Sequence, residues 1–257
     1  MDISRRLWRI WYRNYTVYRR TWKINFLPPL LEPVFYLVAF GAGLGMMIEK
    51  VSYGGQTMNY VSFIAPGLVG ISVMQNSFFE TTYASYVRMY YQKTFDAMLA
   101  TPLSLGDIIA GEIAWGATKS VVAAVIMVLV LTPFGLVSYP GALALPLLAV
   151  LGGLAFASVG MFITAITPSI EVFNIPVFLF VTPMFLFSST FFPLENLPPW
   201  GFWAAQVFPL THLVSLSRDL ALGALNPRAL YDLLYLLVFT GIFFPLAITR
   251  MRKRLVK

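Results

Sequence analysis

The chain has 257 residues, 58% of them hydrophobic and 11% charged, with mean hydropathy +0.75 and a formal net charge of +7. Soluble domains carry about 25% charged residues, and a water-soluble fold of this length cannot bury so much apolar surface, so the bilayer is the solvent for most of it. The basic residues gather at the two ends rather than in a soluble basic domain, which sets nucleic acid aside as a partner, and the absence of cysteine excludes disulfides and thiolate metal sites.

Residues 1–23 do not read as a signal peptide, because seven basic residues fall between positions 5 and 23 with no apolar core. Trp8, Trp11, Tyr15, Tyr18 and Trp22 recur at spacings of three and four, and Arg6, Arg9, Arg13 and Arg20 follow a similar rhythm. At about 100° per residue the two sets lie on nearly opposite faces. This predicts an amphipathic helix in the headgroup plane, marked by Trp8, Arg9, Trp11 and Arg13.

A first span covers 27–48, where Pro28 and Pro29 suit a helix start and Glu32 is expected as a satisfied end-of-helix residue near an interface. A second covers 60–86 and holds Glu80. Residues 88–101 read as a short amphipathic helix ended by Thr101-Pro102, with Phe95, Met98 and Leu99 on one face. Arg88, Tyr91, Lys93, Phe95, Asp96, Met98 and Leu99 mix aromatic, methionine and charged character, as a docking surface for a soluble partner does. A plain interfacial connector is the alternative. A third span covers 105–131 and contains Asp107, Glu112 and Lys119. Residues 120–170 hold no charge and exceed one span of about 20 residues. The turn signals Thr132-Pro133-Phe134-Gly135 and Tyr139-Pro140-Gly141 divide them, giving a fourth span at 142–166. Thr167-Pro168-Ser169 then turns into a fifth span at 172–192, and a last span at 231–249 precedes the basic tail 250–257.

Residues 193–222 are long enough to cross but carry Pro198, Pro199 and Pro209. With six spans both basic termini share one side, and 14 of the 18 Lys and Arg fall there, so the positive-inside rule places both termini in the cytosol. The segment is therefore expected as two short outer helices, about 199–207 and 211–222, carrying Trp200, Trp203 and His212. Broken helices at membrane depth need shelter from protein or a cavity.

No phosphate-binding Gly-rich motif, no metal-ligand spacing and no catalytic triad is legible. An intramembrane enzyme is therefore disfavoured, and no metal site is expected. Among ionisable residues within spans, Glu80 and Glu112 sit at similar depth, each roughly 10 Å from the cytosolic end, and Lys119 lies about two turns deeper. A direct Glu112–Lys119 bond does not fit that separation, so Lys119 needs another partner or a wet cavity. These three are read as interhelical hydrogen-bonding groups, as a polar substrate path or as a proton relay. The phenylalanines between 178 and 192, with Trp200 and Trp203, offer lipid contact, dimer packing or a stacking surface for sugar rings. His212 with Glu195 is the one outer acid–base pair that an intramembrane lipid-modifying enzyme could use. An ion-coupled secondary transporter is a further alternative, weakened by the absence of a repeat between the halves.

The layout resembles the ABC-2 type transporter permeases: an arginine-rich helix before six spans, a cytosolic helix ending in Ala100-Thr-Pro-Leu-Ser, and the run Phe191-Phe-Pro-Leu-Glu-Asn-Leu-Pro-Pro-Trp through Pro209-Leu-Thr-His. Arg13-Asn-Tyr-Thr-Val-Tyr-Arg-Arg-Thr-Trp and Leu31-Glu-Pro-Val-Phe-Tyr resemble the nodulation-factor (lipo-oligosaccharide) exporter branch, and drug-export permeases share much of them. The resemblance implies an all-α integral membrane domain in the cytoplasmic membrane. It implies a homodimer, two separate ATPase subunits that bind the ATP and Mg, and a coupling role for 88–99. The substrate would be an amphipathic lipo-oligosaccharide, glycolipid or drug-like molecule passing between two copies of the chain.

Overall fold

The computed structural model describes residues 3–48, 50–224 and 226–255, leaving aside the side chains of residues 33 and 42. Lys257, counted in the basic tail, lies outside the described residues.

Helix α1 (Leu7–Arg20) ends at Thr21, whose backbone leaves the helical region while its N–H still bonds to the Tyr18 carbonyl. The first span, α2 (Trp22–Met47), starts at that bend, so Pro28 and Pro29 lie inside it rather than opening it. A hairpin absent from the sequence reading follows: β1 (Lys50–Tyr53) pairs antiparallel with β2 (Gln56–Asn59). Its two-residue turn needs positive φ at both positions, and Gly54 and Gly55 supply +57° and +78°.

The second span, α3 (Tyr60–Tyr91), is longer than expected and absorbs Arg88 and Tyr91, which the sequence reading gave to the surface helix. It continues through two wide π-turns, Glu80–Ala84 and Val87–Tyr91. It stops where Lys93 takes a left-handed conformation, and the surface helix proper is only α4 (Thr94–Leu99). Ser104 and Asp107 then form a reciprocal capping box that opens α5 (Leu105–Phe134). Next come α6 (Gly141–Ile166) and α7 (Ile170–Phe187). The latter ends before the expected 192, and Ser189 turns the chain at φ +62°. Helices α8 (Pro199–Val207) and α9 (Pro209–Leu222) follow, the latter terminated by Gly223 in the left-handed region. At 9 and 14 residues they rise about 14 and 21 Å, short of the roughly 30 Å apolar core of a bilayer. Span six, α10 (Ala229–Leu255), runs on through Arg250, Arg252 and Arg254.

Helices long and apolar enough to cross a membrane therefore number six among the described residues, and this is a multi-pass, essentially all-helical membrane protein. The starts of α1 and α5 and the ends of α3, α6 and α10 gather at one end of the bundle, the terminal face, where Arg254 donates to the Thr164 and Thr167 carbonyls and Ser4 to Asp107.

Helices α3, α5 and α6 form the centre. They approach closely because small residues line the seam. A Cβ on Gly153 would stand 2.0 Å from Ser120 Oγ, and one on Gly160 would stand 2.3 Å from Thr81 Oγ1. Helix α9 packs on Gly70 of α3 through Val214. By contrast α2 has none of its most apolar stretch buried and α7 only 17%.

Candidate functional site

On the terminal-face half of the bundle, charged side chains from α3 and α5 meet. The wide turn at Glu80–Ala84 is what aligns them. Eight residues of ideal helix would leave Glu80 and Arg88 about 80° apart, and one inserted residue brings them to about 20°. The Arg88 guanidinium then bridges both carboxylates. Its Nη1 lies 2.8 Å from Glu80 Oε1, and its Nη2 lies 2.6 Å from Glu112 Oε2. Arg88 Nε donates to the same Glu112 oxygen at 3.0 Å, and Ser85 Oγ donates to it at 2.6 Å. Lys119 Nζ donates to Glu80 Oε2 at 2.7 Å and stands 5.8 Å from the Tyr18 ring centre.

The partner that Lys119 needs is thus Glu80. Arg88 bridges the two carboxylates within the bundle: its side chain is 14% exposed, and Glu112 is completely covered. The sequence placed the carboxylates at similar depth and missed the cation between them, because Arg88 read as the first residue past the span.

Helix α1 is tied into this ladder. It does not merely lie in the headgroup plane with two opposed faces. A third stripe, Ile10 and Asn14, is buried against α5. Ile10 fits over Gly111, where any Cβ would come within 2.7 Å of it. Asn14 Nδ2 donates to Glu112 Oε1 at 2.8 Å, and Arg13 Nη1 donates to Asn14 Oδ1 at 2.9 Å. Trp11 is half-buried and donates through Nε1 to Thr118 Oγ1 at 2.7 Å, while Trp8 stacks on it from the exposed side. Arg9 faces outward. Farther back, Ser4 N–H donates to Asp107 Oδ1 at 2.6 Å and Arg6 donates to the Pro102 carbonyl. This fastens the start of α1 to the loop that follows α4.

Helix α4 divides its expected docking residues in two. Phe95 and Met98 are buried and Leu99 is half-buried, so they hold the helix to the bundle. Tyr91, Lys93 and Asp96 remain exposed. An amphipathic spacing alone cannot say whether its apolar face meets this chain or a partner, and here it meets this chain. Glu32 differs as well: it lies within α2, half-buried, with no hydrogen bond or ion pair among the described residues.

On the opposite face His212 is completely buried, with Nδ1 2.6 Å from Asp232 Oδ1 and Nε2 2.9 Å from the Gln206 carbonyl. The ring stacks on Tyr235 at 3.9 Å. It therefore joins α8, α9 and α10, and the pairing with Glu195 that an intramembrane enzyme would need does not occur. Glu195 instead borders a small cavity shared with Arg218. Trp200 and Trp203 are 68% and 70% exposed, as an aromatic belt requires.

Arg218 is the residue the sequence reading missed, since it counted only as an outer charge. It is fully buried, donating from Nε to the Phe63 carbonyl at 3.1 Å and from Nη2 to the Ser189 carbonyl at 2.7 Å. Its guanidinium carbon lies 3.9 Å from the Phe63 ring centre and 4.7 Å from that of Tyr53. Four uncharged partners thus hold the hairpin, the start of α3 and the turn after α7 against α9. No grouping of His, Cys, Asp and Glu among the described residues has the arrangement of a metal site.

The profile of the ABC-2 type transporter family matches residues 5–222. The chain is 39% identical over 249 residues to Nodulation protein J of Rhizobium leguminosarum bv. trifolii, covering 96% of this chain and 93% of that protein. It is 38% identical to Nodulation protein J of Rhizobium meliloti (strain 1021), covering 84% and 80%. It is 27% identical to the inner membrane transport permease YadH of Escherichia coli (strain K12), covering 83% and 82%. With a matching family profile over most of its length, six apolar spans and close relatives end to end, the chain belongs to the ABC-2 type transporter family and is a membrane transport permease.

Proposed function

We propose that this chain is the membrane half of an ATP-driven exporter that moves an amphipathic, sugar-headed lipid of the lipo-oligosaccharide class out across the cytoplasmic membrane. The terminal face is cytosolic, in keeping with the basic residues concentrated there. Two copies pair through α2 and α7, the spans left bare in one chain, and the half-buried, unpartnered Glu32 of α2 then gains a protein surrounding in place of lipid. An ATPase on a separate chain binds ATP and Mg and docks against the exposed Tyr91, Lys93 and Asp96.

The observation that carries this reading is the Glu112–Arg88–Glu80–Lys119 ladder. It clamps α3 to α5 directly above α4 and reaches α1 through Asn14. Movement imposed on α4 by a closing ATPase pair therefore passes to α1, α3 and α5 together. The motion is driven by the different nucleotide affinities of the two ATPase arrangements. Kinship with proteins named for nodulation supports the lipo-oligosaccharide class.

The test is ATP hydrolysis by the chain co-purified with its ATPase in nanodiscs. Stimulation several-fold by an N-acylated chito-oligosaccharide, and not by the free oligosaccharide, is expected. Equal rates with and without the lipid contradict the substrate class, and failure of any ATPase to co-purify contradicts the coupling.

A further inference from the structure

A cavity of about 480 Å³ opens on the terminal-face half of the bundle, between α1, the bend into α2, and the facing sides of α3 and α5. Its volume falls in the range of roughly 300–1,000 Å³ typical of small-ligand sites. The ladder forms one wall, and Tyr18 and Trp115 present aromatic surface beside it. Thr21, Asn25 and Gln92 supply hydrogen-bonding groups at the rim.

The charges around it do not cancel. Arg88 and Lys119 balance Glu80 and Glu112 within the ladder, two cations against two anions. Arg13, also on the wall, is left over: its one hydrogen bond among the described residues goes to the neutral Asn14 amide. With Arg13 the cluster holds three cations to two carboxylates, a net positive charge of one even though Glu112 also attracts Arg13, in a partly desolvated setting where attraction is stronger than in water. Its position matters equally. It lies between the aromatic-bearing α1 and the first turn of α2, a span whose apolar stretch is left bare, and lipid heads reach such a position where an amphipathic helix lies at the membrane surface.

We infer that this cavity binds the polar head of a lipid in the leaflet on the terminal face, a head bearing one negative charge together with hydroxyl groups, as a phosphoglycerol head does. Arg13 and Lys119 meet the anionic oxygens. Asn25 and Gln92 bond the hydroxyls, and the acyl chains leave along the uncovered surface of α2. The site stands independently of the export reading, since it concerns lipid recognition by this chain alone.

The test uses the detergent-purified full chain titrated with phosphatidylglycerol or phosphatidylcholine, with lipid retention read by native mass spectrometry. Phosphatidylglycerol is expected to bind about tenfold more tightly than phosphatidylcholine, the factor that about 1.4 kcal/mol supplies. Arg13→Gln, at a half-exposed position, is expected to abolish that preference, and Lys119→Gln, which keeps a donor toward Glu80, to reduce it. Arg19→Gln, an exposed charge on the same helix but off the cavity, is expected to leave it intact. Equal binding of the two lipids overturns the inference. So does a preference that survives Arg13→Gln, or one that Arg19→Gln removes equally, which would mark general surface attraction. Displacement of the lipid by an equal concentration of soluble glycerol phosphate overturns the assignment to a lipid rather than a free anion.

Discussion

Replacing Arg88 with methionine keeps an unbranched stem of similar reach and deletes the charge. The guanidinium serves Glu112 through Nε and Nη2 and Glu80 through Nη1, at 2.6 to 3.0 Å. Each charge pair, with centres about 4 Å apart at an effective dielectric near 20, attracts by about 4 kcal/mol before desolvation is subtracted. Glu80 retains Lys119 after the change, whereas Glu112 keeps hydrogen bonds from only the neutral Asn14 and Ser85 among the described residues, with Arg13 as a cation beyond ion-pair distance. The cost is therefore that of one buried carboxylate stripped of its cation, about 3–5 kcal/mol. For a chain of this size that corresponds to a fall of roughly 6–20 °C in melting temperature. Arg88→Met combined with Glu112→Gln removes the stranded charge and is expected to recover at least half of the loss. Both are measured by tryptophan fluorescence on heating in nanodiscs at one fixed scan rate, because unfolding of such proteins is governed by rate as much as by equilibrium. A single variant melting within about a degree of the parent, or a double variant melting below the single one, refutes the buried-bridge assignment.

Phe95→Ala is expected to destabilise the chain by about 3–5 kcal/mol, because the ring is fully buried; the check is the melting temperature, with lost expression as the extreme outcome. Asp96→Ala, at an exposed position, is expected to leave the melt unchanged and lower the substrate moved per ATP hydrolysed, read by parallel transport and hydrolysis assays. Gly111→Val is expected to lift α1 from α5, since even a Cβ would stand 2.7 Å from Ile10. Faster hydrogen exchange confined to residues 7–20 measures it. His212→Ala is expected to leave Asp232 with only the longer Arg228 contact at 3.7 Å and to lower stability by about 1–3 kcal/mol, while leaving any lipid chemistry in the preparation unchanged, as assayed by mass spectrometry of the lipids.

The spans were legible because lipid leaves them little choice: apolar runs of about 20 residues, Pro- and Gly-marked turns and the basic termini each point to the same six helices. The proline-broken stretch after α7 was legible from the basic termini, which favour six crossings over seven, and from Pro209, which divides it. What escaped the sequence were the places where partners come from distant segments. Arg88 looked like a surface charge because hydropathy ends the span at residue 86, and only the wide π-turn turns its side chain inward. Arg218 looked exposed because the carbonyls and rings that receive it lie near Phe63, Ser189 and Tyr53, far away along the chain. The Gly54-Gly55 pair was a readable hairpin signal, hidden between two strong spans. Phe95 and Met98 kept the expected amphipathic face, but periodicity carries no information about which body covers it.

Inside-out vesicles holding the chain with its ATPase measure coupled outward transport. Uptake of a fluorescent lipo-oligosaccharide that requires hydrolysable ATP, persists when the proton gradient is collapsed, and is lost when the ATPase is omitted is the predicted result. Uptake driven by a proton gradient in vesicles that lack the ATPase would contradict the account.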